Sequence, residues 1–175
     1  MKFSGNIEEL FEITLNRYEA MIRRVCKSYS NEYVEADDLY QEVMVSLLLG
    51  LKSFRGRSAL STWVYRVTLN SCISFLRRDA VRFHSKTDIE KTAEIRNEDP
   101  VYGHDELDYL NYLIGKLGAL DKAIILMWLE ERPYKEIADV TGLSVNVVGT
   151  RLSRIRNQFH QTWQKEQESK NHDKK

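Results

Sequence analysis

At 175 residues, with 42% hydrophobic and 30% charged side chains, the chain has enough apolar material for one or two small packed domains and enough charge to be expected to stay soluble. Its 26 basic and 26 acidic residues cancel overall but not locally: residues 1–50 carry five against nine, 51–82 seven against one, 83–130 five against ten, and 131–175 nine against six. That alternation offers a polyanion two basic segments and leaves acidic ones for another partner.

Only two prolines and eight glycines interrupt the chain, and leucine, isoleucine and valine recur at helical steps, so an all-α fold without strands is expected. Within residues 7–25, Ile7, Leu10, Phe11, Tyr18, Met21, Ile22 and Val25 mark one face of a first helix. Glu35, Asp37 and Asp38 put negative charge at the start of a second, ahead of Leu39, Val43, Met44, Leu47, Leu48 and Leu51. Gly50 and Gly56 bracket its end. A third helix over residues 61–78 is expected to bury Tyr65, Leu69, Cys72, Ile73 and Leu76 and to complete a three-helix bundle.

Residues 81–104 are polar and aperiodic, contain the Asp99-Pro100 step, and read as a flexible linker. Periodicity returns with Leu110, Leu113, Ile114 and Leu117, then Ile124, Ile125, Met127 and Trp128, around a break at Gly118 and up to Pro133. Two further helices follow over residues 134–141 and 145–163, and the lysine- and glutamate-rich end from residue 166 is expected to fray. Cys26 and Cys72 form no CxxC pair and lack a histidine at ligand spacing, so they read as reduced helix residues facing a core rather than as a zinc site or disulfide framework. The longest apolar stretch, residues 123–129, is too short for a bilayer, and residues 1–10 carry no basic segment followed by an apolar run. A cytoplasmic protein without membrane insertion is expected.

The most specific local geometry lies in residues 134–156, which have the layout of a helix-turn-helix. Ala138 is small enough for a close helix crossing, Gly142 suits a left-handed turn, and Ser144 suits the cap of the next helix. With Leu143, Val148 and Leu152 filling the space between, Asn146, Thr150, Arg151, Ser153 and Arg154 are expected to face outward, a donor-rich set fit for a major groove. No acidic residue lies between Val145 and His160. Read without further context, the same residues describe a helical hairpin with a solvated basic face.

A second feature lies upstream. The runs Asp38-Leu39-Tyr40-Gln41-Glu42-Val43, Phe54-Arg55-Gly56 and Ser61-Thr62-Trp63-Val64-Tyr65-Arg66 resemble, in order and spacing, region 2 of sigma-70-type factors. With the helix-turn-helix resembling region 4, the chain is similar over nearly its whole length to the extracytoplasmic-function (ECF) group of RNA polymerase sigma factors. The resemblance implies region 2 over residues 1–80, a linker over 81–104, region 4 over 105–165 and a polar tail over 166–175. It implies no cofactor, no catalytic residue and no metal, and as partners it implies bacterial core RNA polymerase, promoter DNA and an anti-sigma factor.

The resemblance assigns Asp38, Gln41 and Glu42 to a coiled coil of the largest polymerase subunit, where acidic side chains would meet basic ones. It assigns Phe54, Arg55, Arg57, Ser58, Trp63, Tyr65, Arg66, Asn70 and Arg77 to the minus-10 element, read as single-stranded DNA. Unstacking a base costs a few kcal/mol and stacking it on an aromatic ring returns about 1 to 3 kcal/mol, so a few such contacts offset melting. Arg66, Asn70, Ser74 and Arg77 fall on the face opposite Tyr65, Leu69, Cys72 and Leu76, with Asn70 the foremost base reader. Arg57 stands in the loop that resembles the pocket for a flipped base, at a position where an acidic residue is frequent in the family. Ser144, Asn146, Thr150, Arg151, Ser153 and Arg154 fall to the minus-35 duplex, and Gly149 replaces a lysine frequent in relatives.

Two other functions use part of these features: a sigma-like decoy that binds an anti-sigma factor, and a simple helix-turn-helix regulator. The decoy lacks its usual receiver domain, and the regulator leaves the region 2 motifs without a purpose. An enzyme is not indicated, because His84, His104, His160 and His172 are scattered and there is no phosphate loop, nucleophile elbow or zinc-binding helix.

Overall fold

The computed structural model describes residues 6–83 and 106–172. All regular structure among them is helical, in two units that are described separately. No helix of the described residues is long and apolar enough to cross a membrane.

The first unit holds α1 (Ile7–Tyr29), α2 (Ala36–Leu51) and α3 (Leu60–Phe83). Asn6 starts α1 by accepting a hydrogen bond from the Glu8 backbone N–H at 3.3 Å, and Glu8 and Glu9 add negative charge to its first turn. The periodic face continues one turn past Val25, burying Cys26 and Tyr29. Asn31 then turns the chain, its side-chain oxygen accepting from the N–H groups of Tyr33 and Val34 at 2.9 and 3.0 Å. Asp37 and Asp38 occupy the first turn of α2, as their charge leads one to expect.

The three helices meet over Ile22 and Val25, Leu39, Val43 and Leu47, and Val64, Tyr65 and Leu69, all buried. Each such aliphatic side chain contributes about 1.5 to 3 kcal/mol of transfer free energy. Two threonines enter the same core without an unpaired hydroxyl: Thr14 donates to the Leu10 carbonyl at 2.7 Å and Thr68 to the Val64 carbonyl at 2.9 Å. Cys26 and Cys72 face each other with their sulfurs 4.0 Å apart. The Cys72 thiol, hydrogen-bonded to Cys26 and buried, is held protonated well above its ordinary range.

Several expectations shift. Gly50 and Gly56 do bracket the end of α2 at Leu51, but Gly50 has a further role inside the last turn, where the Trp63 ring packs on it; a Cβ there would stand 2.8 Å from Trp63 Cζ2. Leu48 is exposed rather than facing the core. Helix α3 runs through residues 81–83, so the region expected to begin the linker starts as helix. Residues 84–104, the rest of the expected linker, lie outside the described residues.

The second unit holds α4 (Glu106–Gly115), α5 (Ala119–Leu129), α6 (Tyr134–Thr141) and α7 (Val145–His172). Its core joins Leu113 and Ile114 to Ile124, Ile125 and Met127, then to Ile137 and Val140, and to Val148, Leu152 and Ile155. The break at Gly118 is real, and Gly118 caps α5. Helix α5 closes with the Arg132 N–H donating to the Met127 carbonyl at 3.0 Å and the Glu131 N–H to the Trp128 carbonyl at 2.9 Å. The residue this closure forces to positive φ is Glu131, at 59°, a conformation that glycine adopts more cheaply.

The turn between α6 and α7 follows its sequence closely. Gly142 has φ 75° and donates its N–H to the Ala138 carbonyl at 2.9 Å, and Ser144 Oγ accepts from the Val147 N–H at 3.4 Å. Helix α7 outruns the expected end near Trp163 and the fray expected from residue 166, continuing to His172. Its second half has a partner: Trp163 meets Tyr109 of α4 edge-on, with centroids 5.1 Å apart at 60°. Lys165, Glu166 and Glu168 are strong helix formers and prolong it.

Candidate nucleic-acid interface

The first unit presents two unlike surfaces. On α2, Asp38 and Gln41 are exposed one turn apart, and the same side continues with exposed Val45, Leu48 and Leu49. Val45 and Leu49 are 56% and 59% exposed, which a leucine-rich helix of a bundle does not require. Sequence periodicity missed this patch because α2 is apolar on nearly every side. Glu42 is placed differently from its two companions: it is half-buried and pairs with Arg78 of α3. Beside them Arg23 lies 4.1 Å over the Tyr40 ring and 2.8 Å from Glu19, whose hydrogen bond raises the arginine pKa.

The second surface is the outer side of α3 with the loop before it. Arg66, Asn70 and Arg77 are exposed on one side of the helix, and Arg55 and Arg57 are exposed in the loop around Gly56, whose φ is 67°. Ser58 is half-buried. Phe54 and Trp63 are half-buried against each other, with centroids 5.0 Å apart at 45°, and Trp63 also rests on Gly50. Each therefore shows only part of its ring. Tyr65 corrects the expected set: at 1% exposure its ring is a core side chain between the helices and is not available to a base.

The second unit carries the helix-turn-helix. Val148 and Leu152 are buried and Leu143 half-buried, while Asn146, Thr150, Ser153 and Arg154 are exposed on α7 and Ser144 is exposed at its cap. Arg151 departs from the outward set. It is half-buried, with Nη1 2.6 Å from Asp121 Oδ1 in the first turn of α5. Arg154 Nη2 lies 3.4 Å from the other oxygen of the same carboxylate, yet its side chain is 65% exposed. Arg156, further along, stands 5.4 Å over the Trp128 ring. No sequence signal marked Asp121 as the partner of two recognition-helix arginines, because the pairing spans 30 residues.

Among the described residues no group of three or more His, Cys, Asp or Glu side chains is arranged to hold a metal ion. The arrangement offers instead arginines, amides and hydroxyls on two helices, the groups that contact phosphates and base edges.

Comparison with known proteins agrees with this geometry. The family model for sigma-70 region 2 matches residues 14–82 and that for sigma-70 region 4 matches residues 107–159. The RNA polymerase sigma factor YlaC of Bacillus subtilis is 28% identical over 173 residues, covering 96% of this chain and 98% of the relative. The ECF RNA polymerase sigma-E factor of Escherichia coli is 28% identical over 161 residues, covering 85% and 84%. Among solved structures, the sigma factor RpoE of Bartonella quintana in complex with the anti-sigma factor NepR has the same fold, with TM-score 0.67, 22% identity, and coverage of 88% of this chain and 96% of that one.

Proposed function

This chain belongs to the sigma-70 family of RNA polymerase sigma factors, in its extracytoplasmic-function group, and from that membership we propose which of its surfaces meet polymerase and which meet promoter DNA. It is an alternative sigma factor, an initiation factor that binds core RNA polymerase, recognises the minus-35 and minus-10 elements and promotes melting. RNA synthesis itself belongs to the core enzyme, and this activity locates the chain in the cytoplasm with the chromosome. The observation that carries the reading is the presence of both regions, in order, on one chain.

The polymerase surface is the exposed side of α2, where Asp38 and Gln41 supply polar contacts and Val45, Leu48 and Leu49 an apolar extension. Glu42 contributes by fixing Arg78 rather than by direct contact, which its half-buried pairing supports. Arg55, Arg57, Ser58, Arg66, Asn70 and Arg77 bind the minus-10 strand, with the accessible edges of Phe54 and Trp63 as stacking surfaces. Ser144, Asn146, Thr150, Ser153 and Arg154 read or clamp the minus-35 duplex. An anti-sigma factor is the regulatory partner, a reading supported by a solved structure of the same fold, a sigma factor in complex with the anti-sigma factor NepR.

The test is transcription of host genomic DNA by core polymerase with and without the chain, mapping every RNA 5′ end. New starts sharing two upstream motifs are expected. A folded protein that yields none contradicts the sigma reading and favours the decoy.

A further inference from the structure

Helix α7 carries a glycine at position 149, in the interior of a 28-residue helix. Glycine there costs about 1 kcal/mol relative to alanine, so its presence calls for a reason. The fold supplies none. Among the described residues the glycines at positive φ are Gly56 and Gly142, not Gly149. A Cβ on Gly149 would meet Tyr134 at 3.7 Å from Cε2 and 4.0 Å from Cδ2, ordinary contact distances that alanine satisfies without movement.

What the missing side chain does is leave a dent in the exposed side of the recognition helix. Gly149 stands three residues after Asn146 and four before Ser153, both exposed, and beside exposed Thr150. Gly149, Thr150 and Ser153 open a shallow surface hollow of about 670 Å³ that runs on along Arg154 and Asn157. At one end it is lined by Gly149, which has no side chain, and by Thr150. Thr150 Oγ1 already donates to the Asn146 carbonyl at 2.9 Å, so the residue presents its methyl group at the surface. Tyr134, 40% exposed, stands beside the position a Cβ would fill, outside the lining of the hollow.

In a major groove only one base carries an apolar group at its edge, the C5-methyl of thymine. We propose that Gly149 is a specificity-determining residue, whose hollow beside Thr150 receives the methyl group of a thymine in the minus-35 duplex. The inference rests on the assignment of α7 to that duplex. It accounts for a glycine that costs helix stability and that no internal contact demands, and it explains why the small residues Thr150 and Ser153 flank it.

The test uses the full chain with core polymerase and a minus-35 sequence obtained by selection from randomised duplex DNA. Each thymine is replaced in turn by deoxyuridine, which removes the methyl and keeps the hydrogen-bonding edge. At one position the replacement is expected to weaken binding about fourfold, the equivalent of about 0.8 kcal/mol for one buried methyl group. Gly149→Ala is expected to bind the thymine duplex more weakly, to lose the distinction between thymine and deoxyuridine at that position, and to melt at an equal or higher temperature. If no thymine is sensitive, or if the distinction survives in Gly149→Ala, the proposal is overturned. Arg154→Ala separates the two levels: weakened binding by this variant keeps α7 on the DNA even when the methyl pocket fails. Binding unchanged in both variants removes the α7 assignment and the pocket together.

Discussion

Arg151 Nη1 lies 2.6 Å from Asp121 Oδ1, and this pair ties the recognition helix α7 to the first turn of α5. An arginine expected from the sequence to face phosphate is thus a strut of the fold. With both side chains partly screened from water, at 32% and 21% exposure, the pair is worth more than a surface ion pair and less than a fully buried one.

Arg151→Ala is therefore expected to destabilise the second unit by about 1 to 2 kcal/mol in urea denaturation. It should leave the salt dependence of duplex binding nearly unchanged. Arg154→Ala, at an exposed position, should cost little stability and reduce the logarithmic salt slope by about 0.9, the loss of one phosphate contact. Equal slopes for the two variants would contradict this division of roles.

How far the sequence reveals this depends on the range of the cause. Gly142, Ser144 and Ala138 act within a few residues of themselves, and the turn they imply is the turn observed. The second-helix start at Asp37 and Asp38 is equally local. By contrast, the inward course of Arg151 and the meeting of Cys26 with Cys72 across 46 residues depend on which helices become neighbours. Periodicity assigned Tyr65 correctly to the buried side of α3, whereas its motif placed it among the DNA contacts; burial overrides the motif. The end of α7 carries no hydrophobic run to mark it in the sequence, while in the structure Trp163 packs on Tyr109.

Glu131 carries a removable cost. Its φ of 59° is enforced by the two hydrogen bonds that close α5, and a side chain in that region is disfavoured by about 1 to 2 kcal/mol. Glu131→Gly relieves this strain, although the added freedom of the unfolded chain offsets part of it. A net gain of about 1 kcal/mol is expected, read as a higher urea midpoint with the same slope. A lower midpoint would mean that the exposed Glu131 side chain makes a compensating contact.

The exposed apolar side of α2 makes a prediction that charge alone does not. Val45→Asp and Gln41→Ala are both expected to weaken competition for core polymerase, with melting temperature unchanged because neither side chain is buried. Val45→Asp should have the larger effect, since it places an uncompensated charge in a contact that excludes water. If Gln41→Ala weakens binding and Val45→Asp does not, the polymerase footprint ends at the first two turns of α2.

Gly50 and Trp63 set two effects against each other. Alanine in place of glycine gains up to about 1 kcal/mol of helix propensity in a helix interior, but Gly50 lies in the last turn of α2, where helices fray and the gain is smaller. Against it stands a Cβ 2.8 Å from Trp63 Cζ2, and overpacking of that kind costs about 1 to 3 kcal/mol. Gly50→Ala should thus destabilise the first unit and push Trp63 away from α2, disturbing its pairing with Phe54 in the loop before α3. Trp63→Phe removes the clashing edge, so the double variant should be more stable than the sum of the two single changes predicts. Chemical denaturation of all four proteins tests the coupling, and strictly additive losses would show that Gly50 is not required by the Trp63 ring.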